Sequence, residues 1–273
     1  MSISKSQTIL AFLIAAGGLS SIVQAVEGSV RADYNSAFVQ DDPVMNFGLK
    51  IKQDIPLDLT LSVAQSVDYN LVVDASKEIW EWTDTVIAIE RSLKSGETLT
   101  FKSRLSTSLP TSIESRHDEL YTRPELRISV LADLPAGVSS TTSLSFARYF
   151  HRFDATRMDG QTEGGEALPI YTYALAQEFS ATVYGPFDVG IDGSYRVKRY
   201  YDLKEEGSII RAENRVEDYT YSVGLSATYN YSDKTSLTAS YGQGSGLERD
   251  DYSDFVVFDR EKSTWNFSLV QLW

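Results

Sequence analysis

The chain has 273 residues, no cysteine and a formal net charge of −13. The acidic balance excludes a nucleic-acid partner, whose phosphates would be repelled. The missing cysteines exclude disulfide staples, so an exported fold of this size must be held by backbone hydrogen bonds or a large core.

In chain order, the first element is a secretory signal peptide over residues 1–25. Lys5 gives a positive start, Thr8–Ala16 an apolar core, and Val23-Gln24-Ala25 small residues at the cleavage positions, which puts the mature start at Val26. The apolar core is shorter than the roughly 18–20 residues that a spanning helix needs. No later stretch is apolar enough to span as a helix.

From Val26 onward the chain alternates with period two. Leu99, Phe101, Leu105 and Leu109 share one face, while Thr98, Thr100, Lys102 and Arg104 share the other. Leu126, Ile128 and Val130 oppose Arg123, Glu125, Arg127 and Ser129; Phe187, Val189, Ile191 and Tyr195 oppose Asp188, Asp192, Ser194 and Arg196. The polar face is too polar for the inside of a soluble sandwich. A mean hydropathy of −0.22 is compatible with a membrane protein of this kind, because barrel strands leave one face and all loops polar. Abundant tyrosine suits aromatic girdles at two interfaces.

The alternation predicts twelve strands, over 28–38, 44–53, 57–67, 82–93, 97–109, 120–131, 140–152, 169–183, 187–201, 215–230, 236–244 and 256–273, with ten strands as the competing count. Breakers between them are of two kinds. Gln53–Asp58, Lys94–Glu97, Ala132–Val138, Tyr184–Phe187 and Tyr231–Lys234 are short. Asp68–Glu81, Pro110–Glu119, Asp154–Leu168, Asp202–Asn214 and Gly244–Asp254 are longer and acidic. Short turns alternating with long loops predict an all-β, antiparallel, up-and-down transmembrane barrel over residues 26–273, a single domain with both termini periplasmic.

The last strand carries Trp265, Phe267, Leu269 and Trp273 on one face, interrupted by Gln271, with Asn266 and Ser268 on the other. Ending on an aromatic residue resembles the C-terminal assembly signal of bacterial outer-membrane β-barrels. That likeness implies an outer-membrane location, surrounding lipid and lipopolysaccharide, and the barrel assembly machinery as partners.

Alternation also sorts the charged strand residues. Lys50, Lys52, Lys102, Arg104, Arg123, Glu125, Arg127, Glu178, Asp192, Arg196 and Lys198 are candidates to line the interior, with Arg31, Asp33, Glu90 and Asp188 on the same side. An Arg or Lys facing mid-membrane lipid would cost about 2–4 kcal/mol. Two arrangements fit this set. A cationic stripe in an open passage would attract anions. Alternatively, the cations pair with Glu125, Glu178, Asp188 and Asp192 into a salt-bridged plug.

With its length, about twelve strands, short turns and Arg- and Lys-bearing inner faces, the mature chain resembles the small monomeric oligogalacturonate porins, the KdgM-like family. The resemblance implies a porin-like channel for passive diffusion of small, hydrophilic, anionic solutes, working as a monomer without cofactor. A closed structural or surface-interaction barrel is the alternative reading, and a hydrolase at the rim the third.

The third needs a histidine, and the chain has His117, beside Asp118, and His151, near Asp154. Serine and aspartate are so common here that such proximity arises by chance, and no enzyme is expected. Glu248, Asp250, Asp251 and Asp254 are rich in oxygen ligands but lack the ordered spacing of a calcium loop, so no metal is expected. The glycine-rich segment from Asp154 to Glu166 has no Gly-Lys-Ser/Thr after it and reads as an outer loop able to fold inward over the passage.

Overall fold

The computed structural model describes residues 26–37, 43–71, 79–154, 167–202, 217–247 and 263–273. The predicted signal peptide, most of the Asp154–Glu166 segment and the Glu248–Asp254 cluster lie outside the described residues.

Strand elements in chain order are β1 (Val26–Ala37), β2 (Val44–Ile55), β3 (Leu59–Asn70), β4 (Trp80–Trp82), β5 (Thr85–Ser95), β6 (Leu99–Leu109), β7 (Leu120–Leu134), β8 (Val138–Arg148), β9 (Phe150–His151), β10 (Pro169–Tyr184), β11 (Phe187–Tyr200), β12 (Glu217–Ser232), β13 (Thr235–Leu247) and β14 (Ser263–Leu272). Short β4 continues β5 along β3, and β9 continues β8 along β7, so these segments form twelve barrel strands. Every barrel strand pairs antiparallel with its sequence neighbours, and β1 pairs with β14 to close the sheet. The twelve-strand expectation holds, and ten is excluded.

Two of the twelve strands are interrupted where the sequence alternation predicted continuity. Between β4 and β5 the ladder breaks at Thr83 and Asp84. There Thr83 N still donates to the Ser66 carbonyl at 3.1 Å, and Gln65 Nε2 donates to the Thr83 carbonyl at 2.7 Å, so a side chain takes the bond the ladder leaves open. Backbone groups beside lipid have no water to turn to, and an unpaired one costs several kcal/mol. Residues 68–70 and 80–81, expected in a loop, extend the sheet instead.

The short connections are tight because their residues accept left-handed backbone: Gly96 at φ 73° and Gly185 at φ 53° join β5 to β6 and β10 to β11. All five short connections lie at one rim, together with Val26 and Trp273; the long ones lie at the other.

The barrel has its apolar residues outside. Leu105 and Leu144 are each 57% exposed and Leu225 56%, and large apolar side chains stand out from nearly every strand. Among the described residues the buried apolar ones are Ala88, Leu120, Ala147 and Leu168, too few and too small for a soluble core. Aromatic residues gather near both rims: Tyr69 stands against Trp80 at 4.5 Å between ring centroids on the long-loop side, and Phe187 against Tyr229 at 4.8 Å on the short-turn side. Such bands suit the two membrane interfaces.

The seam places the terminal aromatic. Trp273 N donates to the Gly28 carbonyl at 3.0 Å and Gly28 N donates back at 3.5 Å. The indole lies across Gly28, so that a Cβ there would fall within the ring. Gln271, the polar interruption of the last strand, accepts from the Thr235 hydroxyl at 2.7 Å and so is matched. Replacing Gly28 with Leu should displace the indole and destabilise the barrel by about 1–3 kcal/mol, the usual cost of overpacking. The check is the temperature at which the detergent-folded barrel loses its fast-migrating form on a gel; an unchanged temperature would detach Trp273 from the seam.

Candidate functional site

Cross-strand partners carry their side chains on the same face, so the register sorts the interior into rows. One row near the long loops runs Ser268, Asp33, Asn46, Asp68, Glu81. Past the row of Gly48 and Arg31, and four residues from Asn46 along β2, about 13 Å at the rise of a strand, a row joins Lys50 through Ala64, Val86 and Ser108 to Arg123. Lys52 is one inward position deeper, in the row that holds Glu125. Then Glu90, Arg104 and Arg127 stand side by side on β5, β6 and β7, and the same row reaches Arg196 through Ser145 and Ala174. Lys102 follows on β6. On the far wall Glu178 faces Asp192 directly, and Lys198 lies opposite Thr172.

The far wall is thin. Asp192 leans over Gly224, whose missing side chain leaves room for it. Gly190, Gly242 and Gly244 occupy inward positions of the same region. Most of the inward positive charge therefore lies on β2, β6 and β7, across the interior from a wall of glycine and hydroxyl residues whose β11 adds Arg196 and Lys198.

Among the described residues few of these charges pair off. Arg31 meets Asp33 at 2.6 Å and Arg127 meets Glu125 at 2.8 Å. Lys50, Lys52, Lys102, Arg104, Arg196 and Lys198 reach no described carboxylate within salt-bridge distance. Arg123 donates to Ser108 Oγ at 3.3 Å and lies over the Tyr149 ring at 5.6 Å, and Lys198 lies over Tyr200 at 5.5 Å. The Nε atoms of Arg104 and Arg123 are buried without a protein partner. Asp188 accepts from Thr182 and Asn230 at 2.7 Å each rather than from a cation. Of the ion pairs that a plug would need, the structure forms the one between Glu125 and Arg127; those expected of Glu178, Asp188 and Asp192 do not form with described cations.

Space remains between the charges. A cavity of about 1280 Å³ on the long-loop side is lined by Lys50, Lys52 and Arg123 together with Asp33, Asp68, Glu81 and Asp84. A second, of about 300 Å³, lies against Glu90, Lys102, Arg104, Arg127 and Ser129.

The roof of the larger cavity comes from an unexpected element. Pro110–Glu119, read as a loop, contains a five-residue helix, α1 (Ile113–His117). Ser112 caps it, its hydroxyl accepting from Ser115 N at 3.0 Å. Asp84 then ties this cap to the barrel wall: it accepts from Ser112 N at 3.0 Å and from Ser115 Oγ at 2.5 Å. Ile113 and Glu114 face the cavity. The break that ends β4 thus turns Asp84 inward as an anchor.

The fold is the outer-membrane β-barrel. No family model and no curated protein matches the chain. Among solved structures it is similar to the COG4313 outer membrane channel from Pseudomonas putida F1, at 11% identity with a TM-score of 0.56, over 93% of this chain and 98% of that one. It is similar to the NanC porin at 11% identity with a TM-score of 0.52, over 91% and 98%. The KdgM porin superposes with a TM-score of 0.48 at 14% identity, over 89% and 98%. These likenesses concern the fold; the interior chemistry is this chain's own.

The histidines stand apart from that interior chemistry. His117 is 61% exposed on α1, 3.6 Å from Asp118. His151 stacks on Tyr149 with ring centroids 5.9 Å apart, and its Nδ1 faces the Asp118 carbonyl at 3.2 Å. Neither hydrogen-bonds a serine hydroxyl among the described residues. Sequence reasoning missed Asn46, Asp68, Glu81 and Asp84 as interior residues. The signal was present in Trp80-Glu81-Trp82, where aromatic and acidic residues already alternate.

Removing the anchor should release the roof. Asp84→Ala is expected to raise the single-channel conductance in planar bilayers and add flicker, because α1 loses both bonds to the wall. An identical, quiet conductance would mean that α1 does not restrict the passage.

Proposed function

We propose that the protein is a channel of the bacterial outer membrane that lets small hydrophilic solutes diffuse passively, with a preference for anions set in its middle section. The carrying observation is the set of inward cations without a carboxylate partner among the described residues, Lys50, Lys52, Lys102 and Arg104, beside open volume. A buried pair would have spent those charges on each other; unpaired, they hold a positive potential in a confined space where field lines are focused. Among the described residues Glu90 is the one carboxylate bordering the smaller cavity, against Lys102, Arg104 and Arg127. In the same reading the signal peptide of residues 1–25 is removed, the short-turn rim with Val26 and Trp273 faces the periplasm, and the long loops face outward. Trp265, Phe267, Leu269 and Trp273 form the assembly signal on the lipid face of β14. The barrel acts as a monomer on solutes, without catalysis.

The variant that tests selectivity follows from the pairing. Arg127 is held by Glu125, so neutralising it would also free a carboxylate. Lys102→Gln with Arg104→Gln removes two unpaired charges instead. The double variant should move the reversal potential several-fold toward cations at 0.01–0.1 M salt, where screening reaches about 10–30 Å, and much less at 1 M, where it falls to about 3 Å. No shift at low salt would exclude these residues from the conducting path.

A further inference from the structure

We infer that the larger cavity is a binding vestibule for short peptides with free termini, an inference that rests on the channel reading above and names the solutes it admits. The cavity under α1 carries both signs of charge, and they are separated in depth. Asp68 and Glu81 share the row near the long loops, and Glu114 hangs from the roof. Lys50 and Arg123 share the row beneath.

The charges free to meet a solute are these. Arg31 and Asp33 are spent on each other at 2.6 Å, and Asp84 is occupied by Ser112 and Ser115. Asp68 accepts one hydrogen bond from Asn46 at 2.6 Å; no described cation pairs with it, with Glu81 or with Glu114. Arg123 keeps a buried Nε without a protein partner.

A plain anion gains from the lower row but is repelled by the upper one. A plain cation meets the reverse. A solute with an ammonium group at one end and a carboxylate at the other gains from both, and the field orients it carboxylate-first toward the middle of the barrel. Asn46, opposite Asp68, and Lys50 are four residues apart on β2, about 13 Å. An extended chain spans about 3.3–3.6 Å per residue, so a peptide of about three or four residues bridges the two rows. The volume of about 1280 Å³ accommodates such a chain with its hydration.

The experiment compares trialanine with N-acetyl-trialanine, which is only an anion, and trialanine amide, which is only a cation. Each is added to the long-loop side of the folded mature barrel in a planar bilayer at low salt. Trialanine should reduce the current at a concentration about tenfold lower than either capped form. Asp68→Asn with Glu114→Gln should bring trialanine down to the level of the N-acetyl peptide, and Lys50→Gln with Arg123→Gln to the level of the amide. Equal action of trialanine and N-acetyl-trialanine on the wild-type barrel, or a preference that survives both double changes, would overturn the inference. Equilibrium dialysis of the detergent-folded barrel with the same three peptides reads binding without conductance. Silence in the bilayer with a retained preference for trialanine would refute the channel and keep the site; conductance with equal retention of all three would do the reverse.

Discussion

Everything in this protein depends on the requirement that backbone N–H and C=O groups be paired where no water can reach them. In hydrocarbon an unpaired group costs several kcal/mol, and an open sheet edge presents a whole row of them. Closing β1 on β14 removes the edge. Where the ladder is interrupted, at Thr83 and Asp84, the Gln65 amide and the Thr111 hydroxyl donate to the Thr83 carbonyl. The seam ends with Trp273 bonded to Gly28 in both directions, its indole lying where any other residue's Cβ would be. Trp273 at the end of the last strand and Gly28 on the first are thus two halves of one closure.

Closure forces the division of labour between faces. One side of each strand meets lipid, so most strand charge is inward, and the outward Arg91, Arg148, Arg199 and Glu217 lie toward the strand ends. Seen along the axis, the interior is not uniform. Carboxylates lead at the long-loop mouth, unpaired cations follow, and a wall of glycine and hydroxyl residues on β11–β13 leaves the space that bulky side chains would fill. A chain with a net charge of −13 can therefore carry a cationic middle section, because its acidic residues are placed mostly at the mouth and in the loops. The same fold at 11% identity in solved outer-membrane channels leaves such placement free to vary, since function resides in the interior side chains and not in the barrel.

Much of the fold was legible because period two is a strong signal when one face must be apolar. The facing of Lys102, Arg104, Arg123 and Arg127 followed from the alternation of β6 and β7 alone, and the five tight turns from their Gly, Pro and Asp residues. Asp68–Glu81 was misread because acidic residues close to a break look like solvated loop; only pairing with β3 shows that Glu81 lies beside Asp68 on the inner face. The pairing of charges was illegible for a different reason. Glu125 holds Arg127 two residues away on its own strand, whereas Glu178 faces another carboxylate, Asp192, across β10 and β11. Which outcome a carboxylate meets depends on register between strands, which one strand's sequence does not carry. The helix α1 escaped because five residues are too few to show a helical period.

The central claim, that unpaired inward cations govern an open passage, is tested most directly by the reversal potential of the wild-type barrel. The folded barrel of residues 26–273 is placed in a planar bilayer under a tenfold potassium chloride gradient at low ionic strength. The account predicts discrete conductance steps with a reversal potential on the chloride side that declines toward zero as salt is raised. A potassium-side reversal potential, or no steps from protein shown to be folded by its heat-dependent migration, would contradict it.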